Sequence, residues 1–193
     1  LFTEQFEGFF MTLFSIGVSA AESAVAIAII INVYRNFHSD QVNSIQKFME
    51  QTSVFFSEIE KSEGISLMPF AKQTLEYLKD KVYRIALASS TIGPVVTRQL
   101  EKAGLLSFFE SLSTGDQVSH SKPDPEIYKL ACKSLNLPPK KCAAVEDSPN
   151  GIKSAKSAGL FTIMVPDRIE PDEELLRNVD FLCSNLSEIK LKF

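Results

Sequence analysis

The chain has 193 residues, and 45% of them are apolar, so it can bury a sizeable core in one large domain or in a core with a smaller second domain. Its net charge of −4 gives no general electrostatic reason to expect nucleic acid or an anionic membrane surface as a partner. An anionic small molecule would therefore have to be held by local groups.

The longest apolar run does not predict a membrane span. Ala24–Ile31 is much shorter than the about 18 to 20 residues that a spanning helix needs, and Glu22 and Asn32 bracket it. A buried helix is the better interpretation. Because no run of positive charge opens the chain, a secretory signal is not indicated either.

The cysteines predict a reducing environment. Cys132, Cys142 and Cys183 are odd in number, widely spaced and set in apolar runs. This pattern is typical of reduced thiols in a protein core rather than of a disulfide framework. We therefore expect a cytoplasmic protein.

The chain divides into a helical part and an α/β part. Up to about Glu63 there are few strand signals, and apolar residues recur at helical spacing. After Gly64, short β-rich runs alternate with amphipathic helices, which is typical of a parallel sheet with helical crossovers. We predict domains over residues 1–64 and 65–193. In chain order, the second domain is predicted to begin with a strand Val82–Ala88, a helix Pro94–Ala103 closed by Gly104, a strand Ser111–Thr114 and a helix Glu126–Leu135. It then continues with a strand Cys142–Val145, a helix Gly151–Ala158 closed by Gly159, a strand Phe161–Val165 and a surface helix around Ser187–Lys190.

Polar residues directly after apolar strands matter most, because ligands of open parallel sheets bind beyond the carboxyl ends of the strands. The first such group is Ser89-Ser90-Thr91. Its hydroxyls and amides near a helix N-terminus could hold a phosphate. Helix capping by a small hydroxyl residue is the alternative interpretation.

The second group is Lys122, in a loop stiffened by Pro123 and Pro125. Such a loop could point one ammonium into a cleft, although most lysines are simply solvated. The third group is the pair Glu146 and Asp147 at the tip of a buried strand. Two carboxylates there could hold a hard cation such as Mg²⁺, and helix capping by Asp147 is the alternative.

The three groups occur within longer motifs that resemble a known family. The segments ALASST (86–91), SKPDPEIY (121–128) and VEDSPNGIKSAKSAG (145–159) are similar to three motifs of haloacid dehalogenase-like hydrolases. They most resemble the subgroup of β-phosphoglucomutase and small sugar-phosphate phosphatases. The resemblance implies a Rossmann-like parallel-sheet core over residues 65–193 and a small helical cap domain over residues 1–64.

The resemblance also implies roles for individual residues. Ser89 would bind the transferring phosphoryl group, together with the amide of Ser90, and Lys122 would neutralise its charge. Asn150 would order the same loop. The implied cofactor is Mg²⁺, with Asp147 as a direct ligand and Glu146 acting directly or through water.

One motif that the family implies is absent from the sequence. Members begin with Asp-x-Asp on a central strand, where the first aspartate attacks phosphorus, and this chain contains no such pair. The implied strand lies between those ending at Ser89 and Glu146, so we expect the natural protein to begin upstream of Leu1. Direct pairing of the Ile85 and Ala144 strands would contradict this expectation, because an intervening strand separates its neighbours by roughly 9.6 Å.

These residues favour a magnesium-dependent phosphatase acting on a small phosphorylated metabolite such as a sugar phosphate. One alternative is a phosphomutase, but such mutases carry a histidine that would align to Phe2, and no histidine precedes His38. Another is an inactive binding protein of the same fold. Dehalogenation without metal is disfavoured by Glu146 and Asp147. The expected partner is a small phosphate ester, with neither nucleic acid nor membrane, and the sequence does not indicate an oligomeric state.

Overall fold

Short parallel strands alternate with helices in the part of the chain that the computed structural model describes, residues 65, 67–167 and 169–193. This alternation confirms the predicted α/β class. The predicted helical domain, residues 1–64, lies outside the described residues. The helices are α1 (Ala71–Asp80), α2 (Gly93–Lys102), α3 (Glu126–Ser134), α4 (Pro149–Ala158) and α5 (Glu173–Leu176), and the strands are β1 (Ala86–Ala88), β2 (Ser111–Ser113), β3 (Ala143–Glu146), β4 (Phe161–Met164) and β5 (Phe181–Leu182).

The strands form two parallel ladders. β1 pairs with β2, with Leu87 opposite Leu112, and β3, β4 and β5 follow one another in the second ladder, with Val145 opposite Ile163. Within residues 67–167 and 169–193, no hydrogen-bonded pairing joins β1 to β3. The direct pairing that would contradict an intervening strand is therefore not observed there, and that strand stays a prediction.

One apolar core lies under both ladders. Ala86 and Ala88 of β1 and Ala144 of β3 are buried in the same cluster as Ile127 and Ala131 of α3. Small side chains on the strands let the helix approach both ladders closely. α3 therefore packs in one core with β1 and β3, which share no ladder within residues 67–167 and 169–193.

The first predicted strand is too long at its start. Val82 lies in a turn with φ of 62° and is 81% exposed, and the strand begins only at Ala86. The amide of Val82 donates to the Lys79 carbonyl, and the amide of Tyr83 donates to the Leu78 carbonyl. These bonds close the C-terminus of α1 in the manner of a left-handed cap, which normally takes glycine. Val82 and Tyr83, which were predicted to lie in a strand, thus belong to the C-terminal cap of α1.

The remaining elements follow the predictions with small shifts. α4 begins two residues before the predicted Gly151, because the hydroxyl of Ser148 accepts the Gly151 amide at 3.1 Å and caps the helix, and it ends at the predicted Gly159. The short elements α5 and β5 were not predicted. The predicted surface helix around Ser187–Lys190 is a 3-10 helix over Leu186–Leu191, in which Leu186 and Ile189 are buried.

The three cysteines agree with the prediction of unbridged core thiols. Cys132, Cys142 and Cys183 are all buried, and none forms a disulfide. Among the described residues, none of the helices combines the length and the apolar composition that crossing a membrane would require.

The C-terminal cap of α4 gives a stability prediction. Gly159 has φ of 89°, and an added β-carbon would come no closer than 3.8 Å to its nearest neighbour, a carbon of Pro139. Gly159→Ala should therefore lower the free energy of unfolding by about 1 to 2 kcal/mol through backbone strain alone. Urea unfolding measures the change. The control is Lys129→Ala, at an exposed position of α3, whose change in the free energy of unfolding should be close to zero. Equal stability of the two variants would contradict the prediction.

Candidate functional site

The ammonium of Lys122 connects the carboxyl ends of β1 and β3. Its Nζ donates to the carbonyl oxygen of Ala88 at 3.2 Å and to Oε1 of Glu146 at 2.6 Å. Ala88 directly precedes Ser89, and Glu146 directly precedes Asp147. The structure therefore brings the three groups that the sequence singled out to one edge of the fold.

The Lys122–Glu146 ion pair is almost entirely shielded from solvent. The side chain of Lys122 is 11% exposed and that of Glu146 is 3% exposed. Burial of two charges is unfavourable unless further hydrogen bonds complete the arrangement. Two more donors supply them: the hydroxyl of Tyr128 at 2.8 Å from Oε1 and the hydroxyl of Ser148 at 3.1 Å from Oε2.

These neighbours set the protonation states of the cluster. Burial, the largest influence, raises the pKa of Glu146, but the charge of Lys122 and the hydrogen bonds from Lys122, Tyr128 and Ser148 together hold it below its ordinary value. Burial and the adjacent Glu146 carboxylate raise the pKa of Tyr128 well above its ordinary value. The cluster therefore contains an ionised carboxylate and a phenol that keeps its proton and donates it.

The backbone of α4 closes the other side of the carboxylate. A β-carbon at Gly151 would overlap the carboxyl group of Glu146. Only a residue without a side chain can occupy this position while Glu146 keeps its orientation. Gly151, in the first turn of α4, thus leaves free the space that the Glu146 carboxylate occupies.

The loop after β1 presents the hydroxyl of Ser89. The amide of Thr91 donates to Oγ of Ser89 at 3.1 Å, and the Ser89 amide donates to the Ser113 carbonyl at 2.9 Å. Since the oxygen already accepts a hydrogen bond, its own proton can be donated to a ligand. Ser89 is partly buried, whereas Ser90 is exposed.

The turn after β2 holds this loop in place. The amide of Gly115 donates to the Thr91 carbonyl at 2.9 Å, and a β-carbon at Gly115 would overlap the Ser90 carbonyl. The amide of Gly93, at the start of α2, donates to Oδ1 of Asp116 at 2.8 Å. The expectation was that the amides of Ser89-Ser90-Thr91 could hold an anion, but the amides of Ser89 and Thr91, like that of Gly93, already donate to acceptors within the fold.

The remaining predicted residues lie at the margin of the cluster. Asp147 follows β3 and is partly exposed, and Asn150 is exposed in the first turn of α4. In the described part of the chain, no hydrogen bond joins the Asn150 side chain to Lys122 or Glu146. Nor do the described residues contain a group of three or more histidine, cysteine, aspartate or glutamate side chains arranged to hold a metal.

Sequence reasoning missed the contributions of Tyr128, Ser148, Gly151 and Gly115. Tyr128 closes the SKPDPEIY segment, and a tyrosine on the buried face of a helix must place its hydroxyl against a partner. A glycine inside a predicted helix is a signal of close approach by another group. These signals were present, but the sequence does not show which group each residue would meet.

Comparison with known proteins identifies related chains. Residues 22–165 match the model of a family described as haloacid dehalogenase-like hydrolase. A phosphorylated carbohydrates phosphatase of Thermotoga maritima is 37% identical over 121 residues, 63% of this chain and 54% of the relative. Hexitol phosphatase A of Escherichia coli is 32% identical over 140 residues, 72% of this chain and 63% of the relative.

A solved structure is similar as well. The crystal structure of CbbY from Rhodobacter sphaeroides in complex with phosphate has a TM-score of 0.69 and 29% identity, covering 83% of this chain and 72% of that one. The chain spans about half to three fifths of the length of the curated relatives that it matches, with shares of 54%, 59% and 50% for three of them.

Removing one member of the ion pair should destabilise the fold. Lys122→Met leaves the Glu146 carboxylate buried without its cation, so we expect the free energy of unfolding at pH 7 to fall by about 3 to 5 kcal/mol. The double variant Lys122→Met/Glu146→Gln removes both charges and should recover a large part of that loss. Chemical denaturation of both proteins checks this. A double variant no more stable than Lys122→Met would show that the unpaired charge is not the cause.

The lowered pKa of Glu146 predicts an acid-dependent loss of stability. Below its ordinary pKa of 4.5 the unfolded chain takes up a proton at this group that the folded chain still excludes. The contribution of the ionised carboxylate to the free energy of unfolding is thus fully present above the ordinary pKa and is lost as the pH falls through the folded-state pKa. Unfolding measured from about pH 6 to about pH 3 should show the stability advantage of the wild type over Glu146→Gln shrinking. A constant difference across this range would contradict the prediction.

Proposed function

Because the chain belongs to the haloacid dehalogenase-like hydrolase family, we propose that it forms the phosphate-binding side of a magnesium-dependent phosphatase for small phosphorylated metabolites such as sugar phosphates. The observation that carries the proposal is the position of the Lys122 ammonium. It lies between the strand end that leads to Ser89 and the strand end that leads to Asp147. A cation and a hydroxyl donor at one edge suit an anionic ester, and adjacent carboxylates suit a divalent metal.

Each side chain has a proposed role in binding the phosphoryl group. Ser89 donates its hydroxyl proton to a phosphoryl oxygen, and the backbone amide of Ser90 contributes a second donor. Lys122 neutralises negative charge on the transferring group, which is the main electrostatic requirement of phosphoryl transfer. Asn150, exposed on α4, is proposed only to order the adjoining loop.

The carboxylates fit a magnesium ion in two different ways. Carboxylate oxygens are the ligands that Mg²⁺ prefers, usually with several waters. Glu146 already accepts three hydrogen bonds, out of about four that a carboxylate can accept. We therefore propose that Asp147 is the direct ligand and that Glu146 acts through water. When bound, the ion supplies positive charge to the phosphoryl oxygens.

The described residues supply positioning and charge neutralisation, and none of them is proposed as the nucleophile. The Asp-x-Asp strand that the resemblance implies stays an expectation. Support for the substrate class comes from the relatives, which include a phosphatase of phosphorylated carbohydrates and a hexitol phosphatase. The solved relative CbbY was crystallised with phosphate.

Phosphate release tests the proposal. The protein at its full natural length should release inorganic phosphate from some members of a panel of sugar and hexitol phosphates, and only with Mg²⁺ present. Asp147→Asn should lower kcat/KM by at least about a hundredfold, because it removes the charged metal ligand. The matched control is Asp80→Asn, at an exposed aspartate that ends α1, which should leave the rate unchanged.

Two results would count against the proposal. The first is a folded protein that turns over no phosphate ester in the presence of Mg²⁺. The second is an equal loss of activity in Asp80→Asn and Asp147→Asn, which would mean that the loss does not report on a metal ligand.

A further inference from the structure

We propose that Tyr128 is a positioning residue, which fixes the Glu146 carboxylate so that the Lys122 ammonium stays at the end of β1, where a phosphoryl group would bind. The proposal rests on the phosphatase function proposed above and adds a residue to its machinery. Tyr128 does not touch the phosphoryl group itself, and it acts through Glu146 and Lys122.

Tyr128 and Lys122 share one oxygen atom as their acceptor. Both donate to Oε1 of Glu146, from 2.8 Å and 2.6 Å. The last torsion of a glutamate side chain is soft, so a carboxylate held by one donor could rotate. The hydroxyl of Tyr128 is a second donor on the same atom, and it limits where Oε1, and hence the ammonium, can lie.

The ring of Tyr128 also contacts Lys122. The ammonium lies 5.3 Å from the ring centroid, within the distance of a cation–π interaction. Tyr128 thus acts on Lys122 in two ways. Its ring contacts the ammonium directly, and its hydroxyl holds the Glu146 carboxylate to which the ammonium donates. With the Ala88 carbonyl at 3.2 Å as the next contact, the ammonium has a defined position.

The carboxylate of Glu146 has no room to move toward α4. Gly151 lies against the carboxyl group so closely that a β-carbon there would overlap it, and Ser148 donates to the other oxygen, Oε2. Glu146 is therefore enclosed between the backbone of α4 and the two donors Tyr128 and Lys122. Loss of one donor opens one side of this enclosure.

Packing alone does not require the hydroxyl of Tyr128. Tyr128 is fully buried in the core of α3 beside Ile127 and Ala131, and a phenylalanine ring would fill the same space. A buried hydroxyl is tolerated only when it is hydrogen-bonded, and here its partner is the carboxylate of the site. The hydroxyl therefore serves the position of Glu146 rather than the packing of the helix.

A double-mutant cycle tests the proposal with inorganic phosphate as the probe. Its dissociation constant would be measured by calorimetry in Mg²⁺ buffer for the full-length wild type, Tyr128→Phe, Lys122→Ala and the double variant. We expect Tyr128→Phe to weaken phosphate binding about tenfold, which is the size of one hydrogen bond to a charged group. In the Lys122→Ala background the same change should alter binding by less than about twofold, since its effect passes through Lys122.

Two controls separate positioning from a general loss of structure. Thermal unfolding establishes that each variant is folded at the temperature of the binding measurement, and Tyr77→Phe, at a partly exposed tyrosine of α1, should bind phosphate like the wild type. Gly151→Ala displaces the same carboxylate from the opposite side. It should also weaken phosphate binding. If Lys122→Ala, which leaves the Glu146 carboxylate unpaired, is not folded, the Lys122→Met/Glu146→Gln background, which removes both charges, replaces it in the cycle, and there too Tyr128→Phe should alter binding by less than about twofold.

The outcomes distinguish this proposal from the function on which it rests. Wild-type affinity in Tyr128→Phe, or an undiminished effect of that change in the Lys122→Ala background, would overturn the positioning role alone. Unchanged phosphate affinity in Lys122→Ala would overturn the proposed role of Lys122 in phosphate binding. The positioning role of Tyr128, which acts through Lys122, would then fall too. A tenfold loss that disappears in the double variant supports the positioning role.

Discussion

The ion pair between Lys122 and Glu146 is the interaction on which the rest of the site depends. Its two charges belong to a loop and to the end of β3, and the ammonium also donates to the terminal carbonyl of β1, so it connects two ladders that share no strand among the described residues. Because the pair is nearly excluded from water, each charge needs the other and the hydroxyls around them. Whatever displaces one of these groups therefore affects the strand ends, the loop and the candidate site together.

The placement of the site could be predicted from the sequence because it follows from the regular part of the fold. Parallel strands read as continuous apolar runs, and the residue after each run lies at the same edge. Ser89 and the pair Glu146 and Asp147 were singled out in this way as candidate site residues, and the helix that ends at Gly159 was predicted from its glycine. The α/β class followed from the same alternation.

What could not be predicted depends on contacts between residues far apart in sequence. The apolar Val82 predicted a strand, but the end of α1 takes it into a left-handed turn. Gly115 and Gly151 are required because a carbonyl and a carboxylate approach them, and neither neighbour is visible in the local sequence. The partner of the Tyr128 hydroxyl lies 18 residues further along the chain. The elements α5 and β5 are too short for periodicity to show them.

The hydroxyl of Ser89 and the ammonium of Lys122 differ in a property that bears on ligand ionisation. Both can donate a proton to a ligand, but an ammonium has no lone pair with which to accept one, whereas the Ser89 oxygen keeps one lone pair after accepting the Thr91 amide. A phosphate monoester loses its second proton near neutral pH, with a pKa of about 6. The Lys122 ammonium has no partner for the remaining proton of the monoanion, so at the proposed site it would contribute more to binding the dianion of an ester than to binding the monoanion.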